Sequence, residues 1–286
     1  MLSTIASEQN INFKQFIYKF EAMNTPCEIH LFASQKSRAD EVAKAILGEA
    51  KRLEKKYNYY DENSFLSLLN DREVQTLDAE TKSLLRRAKQ YYKETNGVFD
   101  ITLATIKNLY TTETSLENLK KQKTALLPYI GCEHFGIKKD KLYFDNEFTK
   151  IDLGGFVKEY AVDRAVQIIK KYKLKSALVN FGGDIYALGT KPNGEKFKVG
   201  IKDPNNKSKH ILFETIENEA LTTSASYERN YQIEDKNYSH ILSKINLQKF
   251  PKSVTVISNN CVLSGVYSTS LMINPDIKIK NRVIIL

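Results

Sequence analysis

Cysteine is scarce in this sequence. The chain has 286 residues and three cysteines, Cys27, Cys132 and Cys261, which lie far apart and are odd in number. They form neither the closely spaced pairs of a metal site nor the even set of a disulfide framework. The sequence therefore favours neither a disulfide-stabilised fold nor a cysteine-based metal centre.

Long apolar runs are also missing. No stretch is long enough to span a bilayer as a helix, so we expect that the chain is not an integral membrane protein. Residues 1–14 are polar and lack the hydrophobic segment of a secretory signal. We expect them to form a flexible N-terminal segment before a single domain over residues 15–286. The expected location is cytoplasmic for the chain as written, and periplasmic if a leader has been removed.

The charge is positive but dispersed. Lysine and arginine number 43 against 34 acidic residues, which gives a formal net charge of +9. No compact basic block with interleaved aromatic residues stands out, so nucleic acid is not an expected partner. A basic surface still favours a phosphate-bearing ligand or an acidic partner.

Hydrophobic periodicity predicts helices among short strands. Helices are predicted over residues 37–57, 78–96, 156–169 and 262–272, with helical spacing also within 110–128. Strands are predicted over residues 16–21, 27–32, 149–153, 176–181, 185–189, 196–202, 211–216, 219–224, 227–233, 253–258 and 282–286, with one or two more within 134–148. Residues 185–189 are predicted to continue the strand of 176–181, and residues 219–224 and 227–233 to extend the sheet. Turn-separated strand pairs of this kind favour antiparallel pairing. The predicted class is α+β, a single domain with a mainly antiparallel sheet and flanking helices.

One stretch, residues 152–164, combines several signals. A predicted strand ends at Gly154 and Gly155, and an amphipathic helix follows. Glycines let a ligand approach the backbone closely, and the free N–H groups of a helix N-terminus attract anions. Lys158 lies in the first turn, where a cation opposes the helix dipole, and this placement suggests pairing with an anion. The alternative is an ordinary strand-to-helix turn with a solvated lysine.

Further short polar or glycine-containing segments lie at the ends of predicted strands. They are Met-Asn-Thr-Pro at 23–26, Tyr60 with Ser64, Phe-Asp-Ile-Thr at 99–102, Asp-Leu-Gly-Gly-Phe-Val-Lys at 152–158, Asn-Phe-Gly-Gly-Asp at 180–184, Thr-Ser-Ala-Ser-Tyr-Glu-Arg at 223–229, Tyr-Ser-His-Ile at 238–241 and Ser-Thr at 268–269. In this order they resemble the ApbE family, the FAD:protein FMN transferases. The resemblance runs over nearly the whole chain and is most specific at 152–163 and 180–184.

The resemblance implies a single α+β domain that binds FAD in a cleft. It implies a divalent metal, usually magnesium, at the pyrophosphate, and an acceptor flavoprotein as partner. The implied reaction splits FAD, transfers FMN to a threonine hydroxyl of the acceptor and releases AMP; some relatives hydrolyse FAD to FMN and AMP instead. Attack on a pyrophosphate phosphorus needs cations against the negative charge and a base for the incoming hydroxyl.

The resemblance also assigns roles to individual residues. Carried over position by position, the flavin or adenine contacts are Met23, Asn58, Tyr59, Tyr60 and Ile241, the nucleotide ligand is Asp100, the phosphate cation is Lys158, the metal ligands are Gly155 and Thr269, and the base is His240. Imidazole titrates near neutrality, which suits a general base. Without the resemblance, Tyr60 is equally a half-buried loop tyrosine, and His240 is equally a structural histidine.

Departures from the family pattern concern the metal. The family carries Ala-Asp-Ala-x-x-Thr where this chain has Ser264 to Thr269, so Gly265 stands in place of a ligating aspartate. A hard divalent cation prefers anionic oxygen ligands, and glycine has no side chain to supply one. Glu159 likewise replaces the glycine after the motif lysine.

Two interpretations of these departures remain open. Another acid, such as Asp163, Asp184 or Glu159, or a lysine takes over neutralisation in a working but altered transferase. Alternatively, the chain is a non-catalytic flavin- or partner-binding relative that keeps only the fold and the cleft.

Overall fold

The computed structural model describes residues 13–111, 114–226, 230–234, 236–239, 242–244 and 251–286. The strands are β1 (Lys14–Ala22), β2 (Thr25–Ala33), β3 (Phe135–Lys138), β4 (Lys141–Phe144), β5 (Ala177–Phe181), β6 (Asp184–Leu188), β7 (Phe197–Asp203), β8 (Asn206–Ile216), β9 (Glu219–Ala225), β10 (Asn230–Ile233), β11 (Lys236–Ser239), β12 (Ser253–Ser258) and β13 (Arg282–Ile285).

The helices are α1 (Lys36–Tyr57), α2 (Phe65–Asn70), α3 (Ala79–Glu94), α4 (Ala104–Lys107), α5 (Leu116–Leu126), α6 (Val157–Lys171) and α7 (Cys261–Ile273), with 3₁₀ turns at Ile101–Leu103, Leu127–Tyr129 and Cys132–His134. Among the described residues, the five longer helices match the predicted periodic segments, and two short helices, α2 and α4, are additional. No helix in the described ranges is long and apolar enough to cross a membrane.

Local sequence explains where α3 begins and ends. The carboxylate of Asp78 accepts a hydrogen bond from the backbone N–H of Thr81 at 2.9 Å, which satisfies a free donor of the first turn. At the other end Gly97 has a φ of +79°, and its N–H donates to the carbonyl of Tyr92 at 2.7 Å. This left-handed glycine closes the helix as the sequence predicts.

A seven-stranded sheet in the order β1-β2-β5-β6-β9-β12-β13 forms the centre of the molecule. Every neighbouring pair in it is antiparallel. The α+β class with a mainly antiparallel sheet is therefore confirmed. The division at residue 14 stays a prediction, since residues 1–12 lie outside the described ranges.

The two faces of this sheet bury different neighbours. On β6, Tyr186 and Leu188 belong to the main core with α1, α6 and α7, whereas Ile185 and Ala187 belong to a second cluster with residues of the β7–β8 hairpin. Successive side chains of a strand point to opposite faces. The sheet therefore lies between a helical layer and the β7–β8 hairpin.

The predicted strand over residues 149–153 is wrong. This segment is irregular, and its backbone is held by a side chain instead of a strand partner. Asn70 donates from Nδ2 to the carbonyl of Ile151 and accepts from its N–H, both at 2.8 Å. The Asn70 amide thus satisfies both backbone polar groups of Ile151, and the N–H of Asp152 donates to the carbonyl of Ile101.

Two further strand predictions need correction. Residues 185–189 do not continue the strand before them; β6 turns back on β5 as an antiparallel hairpin through Gly182 and Gly183, whose φ values are +63° and +98°. Residues 227–233 do not extend the main sheet either. Their described part, β10, pairs with β11 in a separate two-stranded sheet.

Candidate active site

A cleft of about 1730 Å³ opens beside the first turn of α6. The cavities that hold drug-sized ligands usually measure roughly 300–1,000 Å³, so this cleft has room for a dinucleotide. Its walls come from distant parts of the chain: the β1–β2 turn, the end of α1, the segments before α4 and α6, the β5–β6 turn, the β7–β8 hairpin, β9 and α7. The polar segments singled out in the sequence, apart from the one at 238–241, thus contribute residues to one space.

Most of the predicted site residues line this cleft. They are Met23, Asn58, Tyr59, Tyr60, Asp100, Gly155, Lys158 and Thr269. The remaining two, His240 and Ile241, lie outside the described residues. Their roles, like those of the other eight, stay predictions.

The β1–β2 turn brings Met23 to the cleft. Met23 and Asn24 both have a φ of 54°, and Ala22 pairs with Thr25 across them, as in a two-residue hairpin turn. The N–H of Met23 donates to Oε1 of Glu54 on α1 at 2.6 Å. This bond connects the turn to α1, which ends at Tyr57, directly before the cleft residue Asn58.

An aromatic corner lies beside the end of α1. The ring of Tyr60 is 70% exposed, while the hydroxyl of Tyr59 donates to the carbonyl of Ala104 at 3.1 Å. The ammonium of Lys107 lies 4.7 Å and 4.5 Å from the ring centroids of Tyr59 and Tyr60. The exposed tyrosine can stack on a planar ligand without losing burial of its own.

Lys107 also pairs with Asp152 in this corner. Its Nζ lies 2.5 Å from Oδ2 of Asp152, whose other oxygen accepts from the N–H of Gly154 at 2.8 Å. Burial disfavours the ammonium, but the charge and hydrogen bond of Asp152 outweigh it and raise the pKa of Lys107. Lys107 could not be predicted as a site residue, because it lies in a single helical turn that carries no motif.

Asp100 is a buried carboxylate in the cleft wall. Its Oδ1 accepts from the N–H of Thr102 at 2.9 Å and from the hydroxyl of Thr102 at 2.5 Å. Its Oδ2 is buried and has no hydrogen-bond partner within the described part of the chain. Burial raises the pKa of Asp100, although the bonds from Thr102 oppose the shift. The unused oxygen is available for a ligand donor.

A charged cluster occupies the start of α6. The ammonium of Lys158 forms an ion pair with the carboxylate of Asp184 at the start of β6, and it lies 3.7 Å from Oε1 of Glu159. Asp184 is 2% exposed and Glu159 is 7% exposed. Burial raises the pKa of the Glu159 carboxyl, and the charge of Lys158 opposes the rise.

Helix α7 also lines the cleft, through Thr269. Its hydroxyl lies 3.1 Å from Oγ of Ser224 on β9, and that serine lies 2.8 Å from Oγ of Ser268. Gly265 lies one helical turn before Thr269, buried against α6. Ser224 also lines the cleft, and its contact with Thr269 could not be predicted from the sequence.

The oxygen atoms around the cluster can be compared with the ligands that a divalent cation prefers. The described residues contain no group of three histidine, cysteine, aspartate or glutamate side chains placed to hold a metal. Gly155, Glu159, Asp184 and Thr269 all line the cleft, and Oε2 of Glu159 is buried without a partner among the described residues. A set of oxygen donors with buried carboxylates suits magnesium.

His210 also lines the cleft. His210 lies on β8 and packs against Gly200, so its imidazole occupies the space that a side chain at position 200 would need. Its ring centroid lies 5.4 Å from that of Phe213. His210 is exposed. Its place in the cleft is an addition, since no motif marks it.

Comparisons with known proteins agree with this architecture. The sequence model of the ApbE family matches residues 23–283. A relative from Chlamydia pneumoniae, named FAD:protein FMN transferase, is 28% identical over 76% of this chain and 71% of its own length. The crystal structure of the ApbE protein from Thermotoga maritima covers 95% of this chain and 94% of its own, with a TM-score of 0.84 and 27% identity.

A second solved structure shows the same fold at lower identity. The flavin transferase ApbE from Vibrio cholerae has a TM-score of 0.80 and 18% identity, covering 96% of this chain and 94% of its own. At this identity the likeness concerns the fold alone.

Proposed function

Because this chain belongs to the ApbE family, we propose that it is a flavin transferase that takes FAD as substrate and transfers FMN to a protein acceptor. The observation that carries the proposal is the cleft, where eight residues assigned by the resemblance line one space large enough for a dinucleotide. The names of the relatives support the same reaction.

The residues of the cleft suit the two ends of FAD. The exposed Tyr60 ring and the Lys107 ammonium offer a stacking and cationic surface for a planar ring. The unused oxygen of Asp100 can accept a hydrogen bond from a hydroxyl or amino group of the nucleotide. Lys158, at the start of α6, would meet the pyrophosphate, where a helix N-terminus also favours negative charge.

The proposed transfer is a displacement at phosphorus. The acceptor hydroxyl oxygen, a threonine in our proposal, bonds to the phosphorus of the FMN half, and the bond from that phosphorus to the bridging oxygen breaks. AMP leaves with the electron pair, and a base takes the hydroxyl proton. We assign the base to His240, and Lys158 stabilises charge on the phosphate oxygens. A divalent cation held by Thr269, Gly155 and nearby carboxylates would supply further positive charge.

Incubation with FAD, magnesium and a flavoprotein acceptor tests this function. Intact-mass spectrometry of the acceptor should show the addition of one FMN, and a Thr→Val substitution at the modified position should abolish it. Release of free FMN and AMP without acceptor modification would indicate hydrolysis instead of transfer. A transferase from the same family, run on the same acceptor, verifies that the acceptor is competent.

One observation favours a second candidate, a non-catalytic flavin-binding relative. Gly265 provides no carboxylate on α7, and the described residues hold no group of three metal-ligating side chains. Such a protein would bind FAD in the cleft and leave it intact. Release of AMP from FAD separates the two candidates.

A further inference from the structure

Glu159 is a buried carboxylate that the fold does not need for pairing. Glu159 is the third residue of α6, which begins at Val157, and it lines the cleft. Oε1 faces the ammonium of Lys158 at 3.7 Å, but Oε2 has no partner within the described residues. Buried carboxylates are usually paired or bound to a cation, since burying an unpaired charge is unfavourable.

The nearest cation is already engaged. Lys158 forms its ion pair with Asp184, which is 2% exposed. One ammonium therefore faces two buried carboxylates, and within the described ion pairs the ionised form of Glu159 has no cation of its own. A bound cation would restore the balance, and its carboxylate ligand would be Glu159.

Gly265 explains how Glu159 reaches this position. A Cβ atom on Gly265 would lie 2.5 Å from Cγ, 3.0 Å from Cδ and 3.0 Å from Oε1 of Glu159. The glutamate from α6 thus occupies the space into which a side chain at position 265 would extend. Position 265 lies one turn before Thr269, so a carboxylate placed there lies on the same face of α7 as that hydroxyl.

Glu159 and Gly265 are two of the departures from the family pattern, and they lie in direct contact. The pattern has glycine at position 159 and aspartate at 265, and this chain has Glu159 and Gly265. We propose that Glu159 supplies, from α6, the carboxylate of a divalent-cation site that it shares with Thr269 at the pyrophosphate end of the cleft. The proposal rests on the proposed function for the identity of the substrate, but not for the presence of the cation.

Binding of Mn²⁺ tests the exchange without relying on turnover. Titrations of Mn²⁺ are followed by the electron paramagnetic resonance signal of the free ion, with protein alone and with protein plus ADP as a pyrophosphate-bearing probe. Glu159→Gln keeps the size of the side chain and removes its charge. Its affinity for Mn²⁺ should fall at least about 10-fold, since even partners outside the ligand shell cost that much when lost.

A matched control uses a carboxylate that contacts α7 away from the cleft. Glu94 accepts a hydrogen bond from the hydroxyl of Tyr267 at 3.2 Å, so Glu94→Gln should bind Mn²⁺ as the unaltered protein does. Circular dichroism verifies that both variants fold. Unchanged affinity in Glu159→Gln, or no Mn²⁺ binding by the unaltered protein in either condition, overturns the proposal whatever the FAD assay shows.

The reverse exchange gives an independent test. Gly265→Asp alone should lower the melting temperature, because the new Cβ meets Glu159. The double variant Glu159→Gly with Gly265→Asp should recover both the melting temperature and Mn²⁺ binding to within about threefold of the unaltered protein, since it moves the carboxylate back to α7. A double variant that folds but binds Mn²⁺ no better than Glu159→Gln would contradict the exchange.

Discussion

The ammonium of Lys107 lies 2.5 Å from Oδ2 of Asp152 and within 4.7 Å of the centroids of two tyrosine rings in the cleft. Removal of this charge leaves the carboxylate of Asp152 uncompensated where an anionic ligand must bind. We expect Lys107→Met to weaken FAD binding by about 0.5–2 kcal/mol, measured by the change of flavin fluorescence on titration.

Two variants locate the source of that effect. Arg38 lies 5.7 Å from the ring of Tyr172, outside the cleft, and Arg38→Met should leave FAD binding unchanged. Asp152→Asn in the Lys107→Met background removes the unpaired charge and should restore part of the affinity. Equal affinity in Lys107→Met and the unaltered protein would show that the pair does not contact the ligand.

Tyr60 should contribute to ligand binding and little to folding. Its side chain is 70% exposed, so Tyr60→Ala should leave the melting temperature unchanged. Loss of stacking on a planar ring should weaken FAD binding by about 1–3 kcal/mol. Tyr143, which is 43% exposed on β4, provides the control, and Tyr143→Ala should not alter binding. Similar affinities in the two variants would argue against a stacking role for Tyr60.

The β5–β6 turn offers a matched pair of glycines. Gly182 and Gly183 both have positive φ, but only at Gly182 would a Cβ overlap Oγ1 of Thr25. Gly183→Ala should cost about 1–2 kcal/mol through backbone strain. Gly182→Ala should cost about 1–3 kcal/mol more through overpacking. Urea denaturation measures both free energies of unfolding, and equal losses would mean that the turn shifts to accommodate either methyl group.

Glu80 should make stability depend on acid pH. Burial raises the pKa of Glu80, but hydrogen bonds from Arg52 and Lys56 on α1 outweigh burial and lower it to about 2. Because the folded-state pKa lies below the ordinary 4.5, the stabilisation is fully present above about pH 4.5. It is lost as the pH falls from there toward 2.

Glu80→Gln should therefore cost at most about 3 kcal/mol of unfolding free energy at pH 7, and progressively less below pH 4.5. Chemical denaturation at pH 7, 4 and 3 measures this trend. Glu195, an exposed partner of Lys191 on the surface, gives the control, and Glu195→Gln should produce no measurable change at any pH. A pH-independent loss in Glu80→Gln would assign its effect to packing instead of charge.

Much of the fold follows from local signals. Asp78 and Gly97 mark the ends of α3, and alternating apolar residues mark the paired strands β1 and β2. The error at residues 149–153 has a different cause, because the amide of Asn70, about eighty positions earlier in the chain, satisfies that backbone. No local pattern carries such a contact.

The residues of the cleft divide in the same way, into those that a local motif marks and those that only the folded structure reveals. Motif order places Lys158, Asp100 and Thr269 in one site, and each of them lines the cleft. Lys107 lies outside the motifs and was missed. Ser224 belongs to the segment at 223–229, but its contact with Thr269 was not predicted. The relation of Glu159 to Gly265 needs the packing of α6 against α7, because the two positions look like unrelated departures when the sequence is read alone.

Release of AMP from FAD is the most direct test of the proposed function. Purified protein is incubated with FAD, with and without magnesium, and the mixture is separated by chromatography. We expect AMP to form in the presence of magnesium, and much more slowly in Lys158→Met, which removes the phosphate-facing cation. Tight binding of FAD with no AMP under any of these conditions would contradict a transferase and leave a non-catalytic flavin-binding protein.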